Sequence, residues 1–263
     1  YQLRQITMIR KALFFIVLLC FVLLGTSSSQ NHNRTQTLTF KEKIALSPNY
    51  SVGLSIEWVL DWPSSGYNSQ ALQAMQSNIS NLIYEQTAYG YDLDNAFYRY
   101  CNKFGSYYRS EGQYYIEEAI EYGCEISPCA GWEAHLKGQM LPECKGVVSY
   151  VCLYYDYCGG AHGSVTKRTV NMNSRTGLKI TRNDLFNGDS WSMLTSLLRK
   201  YLPKCLGDDI AMIEDPDIYP TDDFYVSSNG LTFIYQQYSI GAGALGVVEV
   251  TIPWSELPAL RSL

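Results

Sequence analysis

"KGVVSYVCLYYDYCGGAHGSVTKRTVNMN", residues 145–173, decides how the chain is read. Residues 145–157 are rich in β-branched and aromatic side chains, the composition of a long strand. "CGGAHG" breaks the run and "SVTKRTVNMN" resumes it, so the stretch predicts two antiparallel strands joined at a glycine-rich reversal. The same turn raises a chemical question, because Cys158 lies four residues before His162. A nucleophilic thiol needs a base within reach and a third group to orient that base. A strand ending in Gly-Gly fixes no such geometry, and it also rules out helical i,i+4 spacing. An oxyanion motif of the His-Gly-Gly kind would have the opposite order. The residues read as a turn, with His162 satisfying turn carbonyls or exposed at the tip.

Upstream, "LTFKEKIAL" (38–46) and "SVGLSIEWVLDWP" (51–63) predict strands, the second with Val52, Leu54, Ile56 and Trp58 alternating. Leu72, Met75, Ile79, Leu82 and Ile83 form one apolar stripe on a helix over 68–87. A tyrosine-rich helical stretch runs from about Asp94 to Tyr122, interrupted near Gly105 and Gly112, with a cysteine-bearing loop at 123–131. "WEAHLKGQM" (132–140) is a further strand. Downstream, "LKITRNDLF" leads to a helix that starts near Asp189 or Ser190, presents Trp191, Leu194, Leu198 and Tyr201 on one face, and ends at Pro203. "FYVSS" and "LTFIYQQY" flank Asn229-Gly230, a type I′ hairpin signal. "GVVEVTI" is the last strand, and "PWSELPALRSL" predicts a terminal helix. The class is α+β: antiparallel sheet with helices packed on it, in two consecutive subdomains at 38–125 and 126–263 after a disordered linker at 30–37.

Residues 1–29 read as a secretory signal peptide with an upstream extension. Arg10 and Lys11 follow Met8, an apolar run spans Ala12 to Leu24, and small residues follow to Ser29. That run is shorter than the about 20 residues a spanning helix needs, so no stable transmembrane span is expected. The expected location is extracytoplasmic, periplasmic or secreted, with lipid anchoring at Cys20 as the alternative. A net charge of −5 with scattered basic residues argues against nucleic acid and against an anionic membrane surface. The 22 tyrosines exceed the needs of a core, which points to half-exposed sheet faces or a recognition surface.

Removing the signal leaves cysteines at 101, 124, 129, 144, 152, 158 and 205, which in an exported protein read as disulfide partners with one left over. Cys152 and Cys158 on one strand lie roughly 20 Å apart, beyond the about 7 Å limit for a disulfide, so they do not pair with each other. "CEISPC" has no matching second pair, and the carboxylates at 208, 209, 214, 215 and 217 lack the order of a calcium loop, so no metal and no cofactor are expected. Glu117, Glu118 and Glu121 read as a solvated helix face.

"YYDYCGGAHG", "VNMNSRTGLKITRNDLF" and "LTFIYQQYSI…GVVEVTIPWSEL" together resemble the RsiV/PdaC-type extracytoplasmic domain family. The likeness covers roughly 130–260 and, more loosely, 38–125. It implies an external domain of the kind that in one relative senses lysozyme and in another precedes a peptidoglycan deacetylase. Neither the sigma-binding region nor the deacetylase module is expected in this chain. "YSIGAGALG" (238–246) lacks the family's proline and aromatic, and Trp254 stands where a tyrosine is usual. The expected function is an exported, non-enzymatic binding module for cell-envelope glycan or a wall-attacking protein, with lysozyme or a peptidoglycan fragment as partner. Tyr155, Tyr157, Gly159, Gly160, His162, Tyr238 and Trp254 are its candidate contact residues, and no catalytic residue is assigned. Two alternatives stand beside it: a hydrolase using His162 with a carboxylate or thiol, and a structural envelope protein linked through an unpaired cysteine.

Overall fold

In the computed structural model, residues 34–87, 92–186, 190–213 and 218–261 are described. The expected signal peptide lies outside them. Strand β1 (Thr35–Ala45) pairs antiparallel with β2 (Gly53–Pro63), so residues 35–37 of the expected linker are already strand. Two helices follow, α1 (Ser69–Thr87) and α2 (Leu93–Tyr122). They carry the chain back so that β3 (Trp132–Met140) lies parallel to β2. The other pairings of this sheet are antiparallel, as expected, and the parallel pair is a consequence of the long helical crossover. Strands β4 (Val147–Tyr157), β5 (Ser164–Asn173) and the short β6 (Lys179–Ile180) complete a six-stranded sheet in sequence order. The boundary expected at 125/126 thus falls between two strands that pair directly.

One face of this sheet is apolar by alternation. Leu54, Ile56, Trp58 and Leu60 of β2 are buried against Met75, Ile79, Leu82 and Ile83 of α1, the stripe read from the sequence. Each such side chain stabilises by about 1.5–3 kcal/mol on burial. Trp58 anchors an aromatic cluster, 5.2 Å from Phe97 and 5.5 Å from Tyr100 of α2. The expected interruption of α2 does not occur, and the helix runs unbroken for 30 residues. Its glycines are seats rather than breaks: a Cβ on Gly105 would come 2.5 Å from Ile44 Cδ1, and one on Gly112 2.0 Å from Leu46 Cδ1. Asn68 caps α1 by accepting from Ala71 N at 2.8 Å.

After the four-residue helix α3 (Arg182–Leu185), α4 (Trp191–Leu206) covers a second sheet of β7 (Phe224–Ser227), β8 (Gly230–Tyr235) and β9 (Val248–Pro253). Leu194, Leu198 and Leu202 meet Val226, Leu231, Phe233, Val250 and Ile252 in its core. Pro203 does not end α4, because the hydrogen bond it forfeits lies in the last turn and Gly207 N–H still reaches Pro203 O. The hairpin turn is Ser228-Asn229, since Ser227 pairs with Gly230, which lies one residue earlier than expected. The expected terminal helix shrinks to a single 3₁₀ turn, Trp254–Glu256. Pro258 forces Leu257 to an extended ψ of 144° and offers no N–H, so the turn cannot propagate.

The other face of β8 packs on the larger sheet, where Tyr225 and Ile234 meet Leu141 and Val151. No disulfide joins the cysteines among the described residues, contrary to the expected framework. The thiols of Cys144 and Cys158 are engaged elsewhere, on Ser227 O at 3.3 Å and on Asp156 Oδ2 at 3.5 Å.

Candidate functional site

The β4–β5 ladder closes at Asp156 and Ser164, leaving 157–163 as the loop. Gly159 and Gly160 sit at φ 86° and 90°, where other residues are strained. Tyr157 is buried and its hydroxyl donates to Gly160 O at 2.9 Å, so it braces the loop from below. Tyr155 lies across Gly163, where a Cβ would come 2.5 Å from the ring. His162, next to Gly163 in the chain, is exposed.

His162 Nδ1 lies 3.0 Å from Gly163 O, and Nε2 lies 3.1 Å from the hydroxyl of Tyr238. With its proton on Nδ1 the imidazole donates to the carbonyl and accepts from the phenol. Tyr238 is 61% exposed and holds φ at 68°, a left-handed conformation that costs a non-glycine residue about 1 kcal/mol or more. Its ring covers Gly243, where a Cβ would come 2.1 Å away. Two glutamines that the sequence reading passed over fix this second loop. Gln236 accepts from Lys167 N at 2.9 Å and donates to Lys167 O at 2.6 Å. Gln237 accepts from Val165 N at 3.2 Å and donates to Gly243 O at 3.0 Å. They satisfy the edge of β5 beyond the reach of short β6, whose pairing is confined to Asn171 and Met172.

Tyr155 also closes a row across the open face of the large sheet, in which Lys41 pairs with Glu57, Glu57 with His135 and His135 with Tyr155. The His135 and Tyr155 rings stack at 6.1 Å. Glu57 and Glu133 lie 3.9 and 3.6 Å from the two imidazole nitrogens, and Lys41 pairs with Glu57 at 2.7 Å. The two carboxylates face opposite nitrogens, so the trio does not converge on one ion. Among the described residues no cluster of three His, Cys, Asp or Glu could hold a metal. The alternation of "WEAHLKGQM" was the signal for His135, since it places Glu133, His135 and Lys137 on one face.

Cys158 faces the opposite, helix-covered side. Burial first, then the Asp156 carboxylate, pushes its thiol up to about 12, so it stays protonated and unreactive at neutral pH. Burial also raises the Asp156 carboxyl. Beside them the Tyr100 and Tyr154 hydroxyls share a 2.6 Å hydrogen bond. His162 thus finds a phenol and a carbonyl rather than a thiol or carboxylate. Trp254 is remote from all of this. Its indole donates to Ser227 O at 2.8 Å, at the start of β8, whereas Tyr238 follows the end of β8. At ~3.3 Å per residue the two are separated by roughly the strand's length, about 15–20 Å.

This arrangement of sheets and helices has relatives. Residues 183–255 match the model of DUF3298, a protein family of unknown function. The match takes in α3, α4 and the β7–β9 sheet, including Tyr238 and Trp254, but not the loop that carries His162. A DUF3298 family member from Bacteroides fragilis has a similar structure with a TM-score of 0.71 at 22% identity, over 87% of this chain and 93% of that one. A DUF3298 family protein from Pseudomonas aeruginosa has a TM-score of 0.58 at 14% identity, over 86% and 93%. At these identities the likeness concerns the fold, and it extends over nearly the whole described chain. No curated protein matches.

Proposed function

We propose that the protein is an exported, non-enzymatic binding module that recognises cell-envelope glycan or a protein that attacks it, through the loop pair 159–163 and 238–246. The observation that carries this reading is the meeting of His162 and Tyr238 by a 3.1 Å hydrogen bond between two separately braced loops. A strained, exposed tyrosine held over glycine, beside an exposed imidazole and the Tyr155 ring, is a rigid aromatic platform on a sheet edge. Such platforms stack on sugar rings and serve as protein hot spots. The resemblance to RsiV/PdaC-type domains supports the same partner classes, and the residues at 1–29 support export. No catalytic step follows from the geometry around His162, whose two partners are a phenol and a backbone carbonyl.

Calorimetric titration against a lysozyme and against soluble peptidoglycan fragments tests the reading. Saturable binding to one of them, weakened at least tenfold by Tyr238→Ala and by His162→Ala, is the expected result. Silence with both ligands, from a chain shown to be folded, would remove this function.

A further inference from the structure

At the far end of β8 from His162, three separate segments converge around an open cleft of about 530 Å³. The first is the β3–β4 turn, where Cys144 pairs with Val147 and Lys145-Gly146 take φ of 53° and 80°. The second is the β5–β6 turn, in which Asn173 Oδ1 accepts from Arg175 N at 2.9 Å and Thr176 N at 3.0 Å. Ser174 N–H ties the two turns by donating to Gly146 O at 2.9 Å. The third is the tail after the Trp254 turn, pinned where Arg261 N–H donates to Leu185 O at 2.9 Å. Ala259 and Leu260 supply an apolar wall.

Lys145, Arg175 and Arg261 line this cleft against a single lining carboxylate, Glu143. That carboxylate already accepts from Ser174 Oγ at 3.1 Å and lies 3.6 Å from Arg34. Arg261 has Asp184 near it, but the Asp184 carboxyl is held low chiefly by its hydrogen bonds from Thr181 and only in lesser part by Arg261. Lys145 is one of two non-glycine residues at positive φ among the described residues, a place where asparagine or glycine is usual. The unusual backbone aims its ammonium 5.0 Å over the Trp254 ring. Trp254, set apart from the other candidate contact residues, thereby holds a cation at the rim of a different site.

We propose that this cleft binds a small molecule through an oxyanion, a carboxylate or a phosphate. Its volume is in the range of small-molecule sites, about 300–1,000 Å³. Guanidinium forks match the two oxygens of either group in a bidentate pair. The ammonium of Lys145 adds a point charge, and Ala259 with Leu260 covers an apolar body. All the lining residues lie outside the matched segment 183–255, which supports the cleft through Leu185 and Trp254, and none belongs to the His162 loops.

The test is titration of the whole chain with inorganic phosphate and, separately, with citrate at low ionic strength, where exposed charges are least screened. Saturable binding of at least one probe is expected, at least tenfold weaker in the Arg175→Gln/Arg261→Gln variant and unchanged in Tyr238→Ala. Phosphate alone saturating would assign a phosphate ligand, and citrate alone a carboxylate. If the double variant fails to fold, Lys145→Gln, at an exposed turn position, carries the same comparison by weakening the probe several-fold. No saturation by either probe, or affinity untouched by these substitutions, overturns the proposal.

Discussion

The two sheets are held by different physics. The six-stranded sheet is joined to its helices by apolar side chains at helix and strand spacing, with Trp58, Met75 and Ile79 fully buried. The three-stranded sheet is apolar towards α4 but meets the larger sheet through a polar seam beside the small apolar contact of Tyr225 and Ile234 with Leu141 and Val151. Ser149 Oγ donates to Asn171 Oδ1 at 2.6 Å and accepts from Val226 N at 2.9 Å. Thr169 and Asn171 both donate to Phe224 O, at 2.7 and 2.8 Å. Lys167 reaches Glu249 at 2.5 Å, and Tyr225 donates to the same carboxylate at 2.9 Å. The apolar joint is tolerant of exact partners, whereas the polar seam works only when each buried donor and acceptor is matched. That seam also aims the two loops at each other, since Gln236 and Gln237 stand directly after β8.

The contrast can be broken at several points. Trp58→Ala should cost about 3–5 kcal/mol in urea unfolding, the full loss of a large core side chain. Lys167→Met should cost about 2–3 kcal/mol, below the value for a fully buried pair because Glu249 remains 30% exposed. Adding Glu249→Leu should recover most of that loss, and failure to recover it would mean that the pair supplies stability rather than pairing specificity. Ser149→Ala should cost about 1–3 kcal/mol by orphaning Val226 N and Asn171 Oδ1, with a steeper loss of binding at the His162 loops than of stability.

The smallest effect concerns pH. Burial raises the folded carboxyl of Asp156 above the ordinary carboxylate range. The native state therefore binds this proton more tightly than the unfolded chain, and its contribution to stability falls as pH rises from the unfolded value through the raised one. Asp156→Asn should flatten that part of the stability–pH curve, read by denaturant midpoints between pH 3 and 7.

The stripe Met75, Ile79, Leu82 and Ile83, the alternation of β2 and the β4–β5 hairpin were legible because their period records which side is wet. Gly105, Gly112 and Pro203 were misread as breaks. Their effect depends on Ile44, Leu46 and the position of a helix end, and local propensity carries none of that. At the candidate site the loop residues were legible as a glycine-rich reversal, and Tyr238 as part of another. Their contact, 76 positions apart, was not legible. His135 and the two glutamines were missed for the same reason, since a polar residue on a strand or after one has no meaning until register gives it a neighbour.

The sequence by itself determined the α+β class, most helices and strands, and the glycine-rich turn at His162, because periodicity and turn chemistry are local properties. Tertiary structure alone decided the parallel pairing of β2 with β3, the partners of the cysteines, the separation of Trp254 from His162, and the gathering of Lys145, Arg175 and Arg261 around one cleft. Each of these depends on which distant segments share space, and that is settled by packing and by matching buried polar groups across the whole chain.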